Sequence, residues 1–149
     1  MSILLKEVNN DNWFDCVKLK VAEYQSKFVA SNSFSLAQSK YEPDCMPFCI
    51  YDNDTMIGFI MFSLDRDDDD LKDTLWICRF MIDEKFQGKG YGKASMVKIL
   101  EYVKNNYDFN EVYLSEVPEN FVAKGLYKSF GFEFTGEVED GEEVMVLRF

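Results

Sequence analysis

A strand, a glycine-rich turn and a helix follow one another directly in the middle of this chain. The apolar run from Leu75 to Ile82 is typical of a buried strand, and glycines then occupy alternate positions 88, 90 and 92. A helix is predicted from about Tyr91, because apolar residues recur there at three- and four-residue steps, at Met96, Ile99, Leu100 and Val103. Backbone N–H groups at such a turn point outward and favour negative charge. The segment therefore predicts an anion cradle, with phosphate as the expected ligand.

The spacing of the glycines excludes the two commonest phosphate-binding loops. A Walker loop needs Ser or Thr after its Gly-Lys pair, but the two Gly-Lys pairs of this segment are followed by Gly90 and Ala94. A dinucleotide fingerprint that starts at Gly88 needs Gly or Ala five residues later, where this chain has Lys93. The spacing therefore argues against both a Walker loop and a dinucleotide-binding loop.

The chain contains no histidine. This excludes Ser-His-Asp and Cys-His catalysis, histidine general bases and nearly all transition-metal chemistry. Proton transfer must then fall to Tyr, Cys, Lys or carboxylate side chains. The four cysteines form no Cys-x-x-Cys pair, so we expect reduced thiols and no metal site.

The net charge of −11 argues against a nucleic-acid partner and permits a cationic substrate. An acidic run at residues 65–70 predicts a solvated loop that can also attract cations. No signal segment is recognised, and no apolar run approaches the ~18 residues that span a bilayer. We therefore expect a soluble cytoplasmic protein without a membrane partner, folded as one domain over residues 1–149.

Periodicity and turn residues predict elements in the order β-α-α-β-β-β-α-β-α-β-β, an α/β (α+β) arrangement. Gly131 is expected to end the last helix in the C′ position, and Asp140-Gly141 to close a terminal hairpin.

Two expectations concern the N-terminal helices. The first helix, capped by Asn10 or Asp11, is predicted to carry a core-facing stripe, formed by Phe14, Val17, Val21, Tyr24 and Phe28. Ser35 is predicted to cap a second short helix that runs from Leu36 to about Tyr41.

Two motifs resemble the signature of the GCN5-related N-acetyltransferase (GNAT) family. Gln-x-x-Gly-x-Gly is matched by Gln87, Gly90 and Gly92. Asn-x-x-Ala-x-x-Leu-Tyr-x-x-x-Gly-Phe is matched, in the same order along the chain, by Asn120, Ala123, Leu126, Tyr127, Gly131 and Phe132. The resemblance covers the whole chain. It implies the GNAT fold, which is a mixed, mostly antiparallel twisted sheet of about seven strands flanked by about four helices.

The resemblance implies that acetyl-coenzyme A is the co-substrate and that no metal takes part. Backbone amides of the glycine segment would hold the pyrophosphate, at Gln87, Gly88, Lys89, Gly90, Tyr91, Gly92 and Lys93. Asn120 and the strand residues Phe80, Met81 and Ile82 would bind the pantetheine arm.

Tyr127 stands at the position of the general acid in this family. A phenol of pKa ~10 can protonate a leaving thiolate while it stays neutral at pH ~7. The base must accept a proton from an amine of pKa ~10.4, and Glu116 is the first candidate and Glu84 the second. Some polyamine acetyltransferases carry a glutamate nine residues before the glycine motif, where this chain has Cys78. This departure leaves the identity of the base open.

The N-terminal segments and the stretch from Arg79 to Ile82 resemble bacterial spermine/spermidine (diamine) acetyltransferases. The predicted acceptor is therefore a primary amine of a polyamine, and Glu23, Glu42 and Glu116 are the candidate contacts. Two alternatives stay open: an acetyltransferase acting on an amino acid, aminoglycoside or protein N-terminus, and a coenzyme A-binding module without catalysis. The sequence also leaves open whether the chain forms a homodimer.

Overall fold

The computed structural model describes residues 1–66 and 73–149. Within these ranges the strands are β1 (Ile3–Glu7), β2 (Cys45–Asp52), β3 (Thr55–Asp65), β4 (Thr74–Ile82), β5 (Glu111–Glu116), β6 (Glu133–Glu139) and β7 (Glu142–Arg148). The α-helices are α1 (Trp13–Lys18), α2 (Asn32–Tyr41), α3 (Tyr91–Asn106) and α4 (Phe121–Ser129). This order confirms the predicted succession of elements. Positions 67–70 of the acidic run lie outside the described residues, and none of the helices in the described ranges is long and apolar enough to cross a membrane.

The strands form one sheet in the order β1-β2-β3-β4-β5-β7-β6. All neighbours are antiparallel except β4 and β5, which α3 connects as a crossover. The parallel pairing is short, because only Trp76 with Tyr113 and Ile77 with Leu114 are in register. Beyond these pairs β4 and β5 diverge. The divergence opens a cleft in the middle of the sheet.

Apolar residues fill both faces of this sheet. The larger core lies on the side of α3 and α4. There alternate residues of β4 and β5, Leu75, Ile77, Val112 and Leu114, pack against the α3 residues Met96 and Ile99. A smaller core lies on the other face, towards α1 and α2, and contains Cys16, Cys49, Phe59, Met61 and Met81. Both cores extend to the cleft between β4 and β5.

The predicted glycine turn and helix are confirmed. Gly88 and Gly90 adopt φ values of +74° and +87°, which residues with a β-carbon rarely adopt. Gly90 is the N-cap of the 16-residue α3. The predicted apolar positions of α3 are buried against the sheet.

The predicted stripe on the first helix is wrong. This helix ends after six residues, where Leu19 turns to an extended conformation. The following segment is held extended because the Lys20 N–H donates to Asp83 Oδ1 at 2.9 Å. Phe14 and Tyr24, two members of the predicted stripe, are 56% and 72% exposed.

The predicted start of the second helix is also wrong. Ser31 is the N-cap of α2, and its hydroxyl accepts a hydrogen bond from the Phe34 N–H at 3.1 Å. Ser35 is buried within the helix. α2 therefore begins four residues, or about one turn, before the predicted start.

The predicted stops near the C-terminus are confirmed. Gly131, just beyond α4, has a φ of +99°, as expected for a C′ glycine. Asp140 and Gly141 both have positive φ, which suits a tight turn between β6 and β7.

Candidate active site

A large cavity of about 1530 Å³ opens where β4 and β5 diverge. One end is lined by the glycine turn and the start of α4, with Gln87, Gly88, Gly92, Lys93 and Asn120. The other end is lined by the segment between α1 and α2, by the edges of β2 and β3 and by the β6–β7 hairpin. The divergence of two parallel strands thus joins two different surfaces in one cavity.

The glycine turn has the geometry of an anion cradle. A β-carbon at Gly88 would meet no atom within 4 Å, and one at Gly90 would meet only the Met1 side chain at 3.6 Å. The N–H groups of the first turn of α3 have no partner within the helix and carry the positive end of its dipole. The open space above the glycines fits the diphosphate of a coenzyme.

Two side chains of the turn bind the protein itself. Gln87 Nε2 donates to Ile82 O at 2.9 Å, and the Tyr91 hydroxyl donates to Asp52 Oδ2 at 2.7 Å. The Gln87 amide nitrogen and the Tyr91 hydroxyl are therefore engaged within the protein. Lys89 lies over the ring of Phe86, 6.0 Å from its centroid.

The remaining predicted cofactor residues lie along the same end of the cavity. Phe80, Met81 and Ile82 of β4 line it directly. Asn120 lines it as well and is the N-cap of α4, since its Oδ1 accepts a long 3.5 Å bond from the Ala123 N–H. The structure brings these residues together with the cradle.

Glu116 is the last residue of β5 and lies where the strands diverge. Its side chain points to the buried side, because Val112, Leu114 and Glu116 alternate on one face of the strand. The residue is 4% exposed, and neither carboxylate oxygen has a hydrogen-bond partner among the described residues. Burial raises the pKa of this carboxyl, and the nearby charge of Glu143 raises it further. A buried acid without a partner at a cavity is a typical functional group.

Tyr127 of α4 lines the same part of the cavity and is 7% exposed. Burial raises the pKa of its phenol, and the charge of Glu116 adds to the shift. The hydroxyl therefore stays protonated at neutral pH. Tyr127 and Glu116 form a buried acid and carboxylate pair at the cleft.

An ion pair lies next to Glu116. Lys124 Nζ is 3.1 Å from Glu143 Oε1, and the two side chains are 24% and 17% exposed. Glu143 is directly opposite Glu116 in the β5–β7 register. The Lys124 charge lowers the pKa of Glu116 but does not outweigh burial.

The structure does not bring all the predicted acids to the cleft. Glu84 lies against a smaller cavity with Glu23, and its carboxylate is 3.7 Å from Lys20 Nζ. Glu42 does line the large cavity, where its Oε2 accepts a weak 4.0 Å bond from the Cys45 thiol. Of the predicted acids, Glu116 and Glu42 share one cavity, and Glu84 and Glu23 lie elsewhere.

Cys78 lines the large cavity in the place where some polyamine acetyltransferases carry glutamate. Its thiol donates to Met61 O at 3.3 Å. Burial raises the pKa of Cys78 to about 11. The thiol is thus protonated near neutral pH and is a poor replacement for a carboxylate base.

The sequence reasoning missed several residues of the far end of the cavity, including Ser63, Trp76, Glu139 and Glu142. Asp65, which also lines this end, belongs to the acidic run that was predicted to attract cations. A signal existed for Trp76, because Leu75 and Ile77 are core residues and an intervening Trp must face the other side. Over the described residues, no group of three or more Cys, Asp or Glu side chains is placed to hold a metal ion.

The cradle, the diverging strands and the buried acid and carboxylate pair define a site for group transfer. Comparisons with known proteins specify the group. Residues 7–132 match the acetyltransferase (GNAT) family. The chain is 35% identical over 149 residues to the spermine/spermidine N(1)-acetyltransferase of Bacillus subtilis (strain 168), with 98% of each chain covered.

Solved structures share the fold at lower identity. The spermidine N-acetyltransferase of Vibrio cholerae in complex with CoA and spermine is 16% identical, with a TM-score of 0.75 and 99% and 95% of the two chains covered. AAC(6')-Ib in complex with paromomycin and acetyl-CoA is 18% identical, with a TM-score of 0.81 and 99% and 94% covered.

The chain belongs to the acetyltransferase (GNAT) family. It is an N-acetyltransferase whose acetyl donor is acetyl-coenzyme A.

Proposed function

We propose that this enzyme transfers the acetyl group of acetyl-coenzyme A to a primary amine of a polyamine, spermidine or spermine. The observation that carries the proposal is Glu116, a buried carboxylate at the cleft that makes no hydrogen bond within residues 1–66 and 73–149. Such a group is costly unless a cation or a proton joins it. The similarity to a spermine/spermidine acetyltransferase over nearly the whole chain supports the choice of amine, as does the net charge of −11.

The donor would occupy the end of the cavity that carries the glycine turn. Backbone amides from Gln87 to Lys93 would hold the pyrophosphate, and Asn120 with the β4 residues Phe80, Met81 and Ile82 would hold the pantetheine arm. When bound, the donor supplies an acetyl thioester that an amine can attack. The open space over Gly88 supports this placement, because a side chain there would fill the cradle.

Glu116 would act as the general base. A polyamine reaches the site as an ammonium ion, with a pKa near the ~10.4 of lysine. The buried carboxylate attracts that ion, accepts its proton and leaves a neutral amine with a free lone pair. The raised pKa of Glu116 makes it a stronger base than an exposed glutamate.

Tyr127 would act as the general acid. Its phenol donates a proton to the sulfur as the carbon–sulfur bond breaks, so that the leaving group departs as a neutral thiol. The nitrogen loses two protons over one turnover: one to Glu116 before attack, and one after the new carbon–nitrogen bond has formed, which returns to the Tyr127 phenolate. Glu116 then releases its proton to solvent, so that one proton leaves for each acetyl group transferred to an ammonium acceptor. Glu84 is the weaker candidate for the base, because it is paired with Lys20 outside this cavity.

The remaining charge of the acceptor would be met by other carboxylates of the cavity. Glu42 lines the cavity and stays proposed as an acceptor contact. Glu23 lies against the smaller cavity and is the weaker candidate.

A panel of amines tests the proposed acceptor. Purified enzyme with acetyl-coenzyme A is assayed for free thiol with spermine, spermidine, a simple monoamine, an amino acid and an aminoglycoside. We expect the highest kcat/KM for the polyamines, with a KM that rises with salt because ion pairs are screened over ~8 Å at physiological ionic strength. Equal rates for spermidine and the monoamine, or a KM insensitive to salt, would reject the polyamine assignment.

We further propose that residues 1–149 act as one domain in the cytoplasm and that the enzyme forms a homodimer. Strands from both ends of the chain share one sheet, which supports a single domain. All four cysteines are free thiols, which suits a reducing compartment. The edge strand β6 exposes Phe134 by 48% and Val138 by 60%, which supports a dimer and is tested by sedimentation.

A further inference from the structure

An aromatic pair stands on the sheet at the acceptor end of the large cavity. The register places Ser63 of β3 opposite Trp76 of β4, and Trp76 opposite Tyr113 of β5. The three side chains form a row on one face of the sheet, because directly paired residues point the same way. The core residues Leu75 and Ile77 face α3 and α4, so the row lies on the other face. Trp76 and Ser63 both line the cavity.

The indole of Trp76 is fixed from two sides. It stacks on the Tyr113 ring with centroids 5.2 Å apart and planes inclined by 26°. Its Nε1 donates to Thr74 Oγ1 at 3.0 Å. Tyr113 is itself held, since its hydroxyl donates to Glu111 Oε1 at 2.8 Å. One face of the indole is therefore covered by Tyr113. The other face is directed towards Ser63, whose side chain is small.

Carboxylates flank this open face. Asp65 is two residues beyond Ser63 on β3 and points to the same side of the sheet. Cys45 is opposite Ser63 on β2, and its thiol donates to Glu42 Oε2. Asp65 and Glu42 are exposed and line the cavity. Aromatic face and carboxylates together offer a cation both π-electron density and a counterion.

We propose that Trp76, Ser63, Glu42 and Asp65 form a subsite for a second ammonium group of the acceptor, a subsite that determines the preference for polyamines over monoamines. This inference rests on the proposed function. The same cavity holds Glu116 at the reacting end, buried and without a hydrogen bond to any residue that the structure describes. One acceptor would thus place one nitrogen near Glu116 and another over the Trp76 face.

The spacing of the two positions agrees with an extended triamine. Ile77 of β4 is in register with Leu114 of β5; Trp76 is one residue before this pair and Glu116 two residues beyond it, so the two positions are about 10 Å apart along the strands at ~3.3 Å per residue. The terminal nitrogens of extended spermidine are about 11 Å apart. A monoamine reaches the cleft but leaves the indole face without a partner.

The test compares discrimination between spermidine and butylamine, measured as the ratio of their kcat/KM values. For Trp76→Leu we expect the ratio to fall about 3- to 30-fold, the range of a cation–π contact, with butylamine turnover retained. Trp76→Tyr should restore most of the ratio because it keeps an aromatic face. Glu42→Gln and Asp65→Asn should each lower it, whereas Glu133→Gln, which removes an exposed carboxylate away from the cavity, should not.

A wild-type enzyme without preference for spermidine would reject the polyamine function itself. A wild-type preference that survives in Trp76→Leu would reject the subsite and leave the function intact.

Fluorescence gives a second readout that does not require an active variant. The chain has two tryptophans, and the other one, Trp13, is 48% exposed on α1 and lines neither cavity described above. In Trp13→Phe the signal comes from Trp76 alone. Spermidine should change it saturably at concentrations near its KM, while butylamine should not. An unchanged signal at saturating spermidine would overturn the proposal.

Discussion

Replacing Glu116 by glutamine separates activity from stability in this enzyme. Both carboxylate oxygens are buried without hydrogen-bond partners in the described part of the chain, and such a buried group costs about 1–3 kcal/mol. Glutamine keeps the shape and leaves a polar amide in place, so only the part of this cost that belongs to the charge is relieved. We expect Glu116→Gln to gain about 1 kcal/mol, or about 2–4 °C in Tm for a chain of this size. Turnover should fall by roughly 10²- to 10⁴-fold, as for the loss of a general base.

The pH dependence of this gain has a definite sign. Burial raises the pKa of Glu116 in the folded protein above its unfolded value of ~4.3. The folded state therefore binds the proton more tightly, and stability is lost as pH rises through the raised pKa. The advantage of Glu116→Gln over the wild type should be full at pH ~8 and should vanish as pH falls towards ~4.3.

Thermal unfolding at several pH values, together with a thiol-release assay, measures both effects. Glu119→Gln is the matched control, because this side chain is exposed three residues further along the chain; it should change neither quantity. The reasoning is refuted if Glu116→Gln is less stable than the wild type at pH ~8, or if its gain in stability is the same at low pH, since either result means that the ionised carboxylate is not uncompensated.

Three further substitutions test the site and the sheet. Tyr127→Phe removes only the buried hydroxyl and should lower turnover roughly 10²-fold with little change in acetyl-coenzyme A affinity; unaltered turnover when chemistry limits the rate would make the ring a packing residue. Gly90→Val places a β-branched residue at a φ of +87° in the cradle and should weaken acetyl-coenzyme A binding about tenfold or more in calorimetry; equal affinity would contradict the cradle assignment. Gly58→Ala sets a β-carbon 2.5 Å from Met81 O and should cost about 1–3 kcal/mol in thermal unfolding. Gly125→Ala, with no atom within 4 Å of the added carbon, is its control and should instead stabilise the exposed helix position; equal Tm changes would refute the steric argument.

The sequence predicted best those features that one residue type alone can satisfy. Gly88, Gly90, Gly131 and Gly141 all have positive φ, and each was recognisable because few other residues tolerate that conformation. The strands followed from short apolar runs bounded by turn residues. These signals lie within a few residues of the feature they predict.

The N-terminal helices were predicted less well because their limits depend on distant residues. The extended chain after α1 is held by Asp83, which accepts the Lys20 N–H from 63 positions away. No local sequence pattern predicts that hydrogen bond. The start of α2, in contrast, depends on a local signal. Ser31 and Ser35 are both residues that favour an N-cap, and the helix begins after Ser31.

The choice among candidate bases also depended on tertiary structure, although a local sign was present. Glu116 lies on the same buried face of β5 as Val112 and Leu114, because alternate residues of a strand point to the same side. An acidic residue at such a position is unusual. Glu84 follows β4 in a 3-10 turn, where residues do not alternate between a buried and an exposed face. Its ion pair with Lys20 could not be predicted from the sequence spacing. An acid on the apolar side of a strand is thus the more informative signal.

The arrangement of charges explains how a chain with a net charge of −11 can serve an anionic donor and a cationic acceptor in one cavity. At the donor end, the proposed pyrophosphate contacts are peptide N–H groups and the dipole of α3, and Lys93 adds one cationic side chain to the lining. At the acceptor end, Glu42 and Asp65 line the cavity as carboxylates. Glu116 lies between the two ends, shielded from solvent, so its charge acts over a short distance on the nitrogen that enters the cleft. The peptide dipoles lose their influence within about a turn of the helix end, so they attract the anionic donor without repelling a polyamine at the acceptor end of the same cavity.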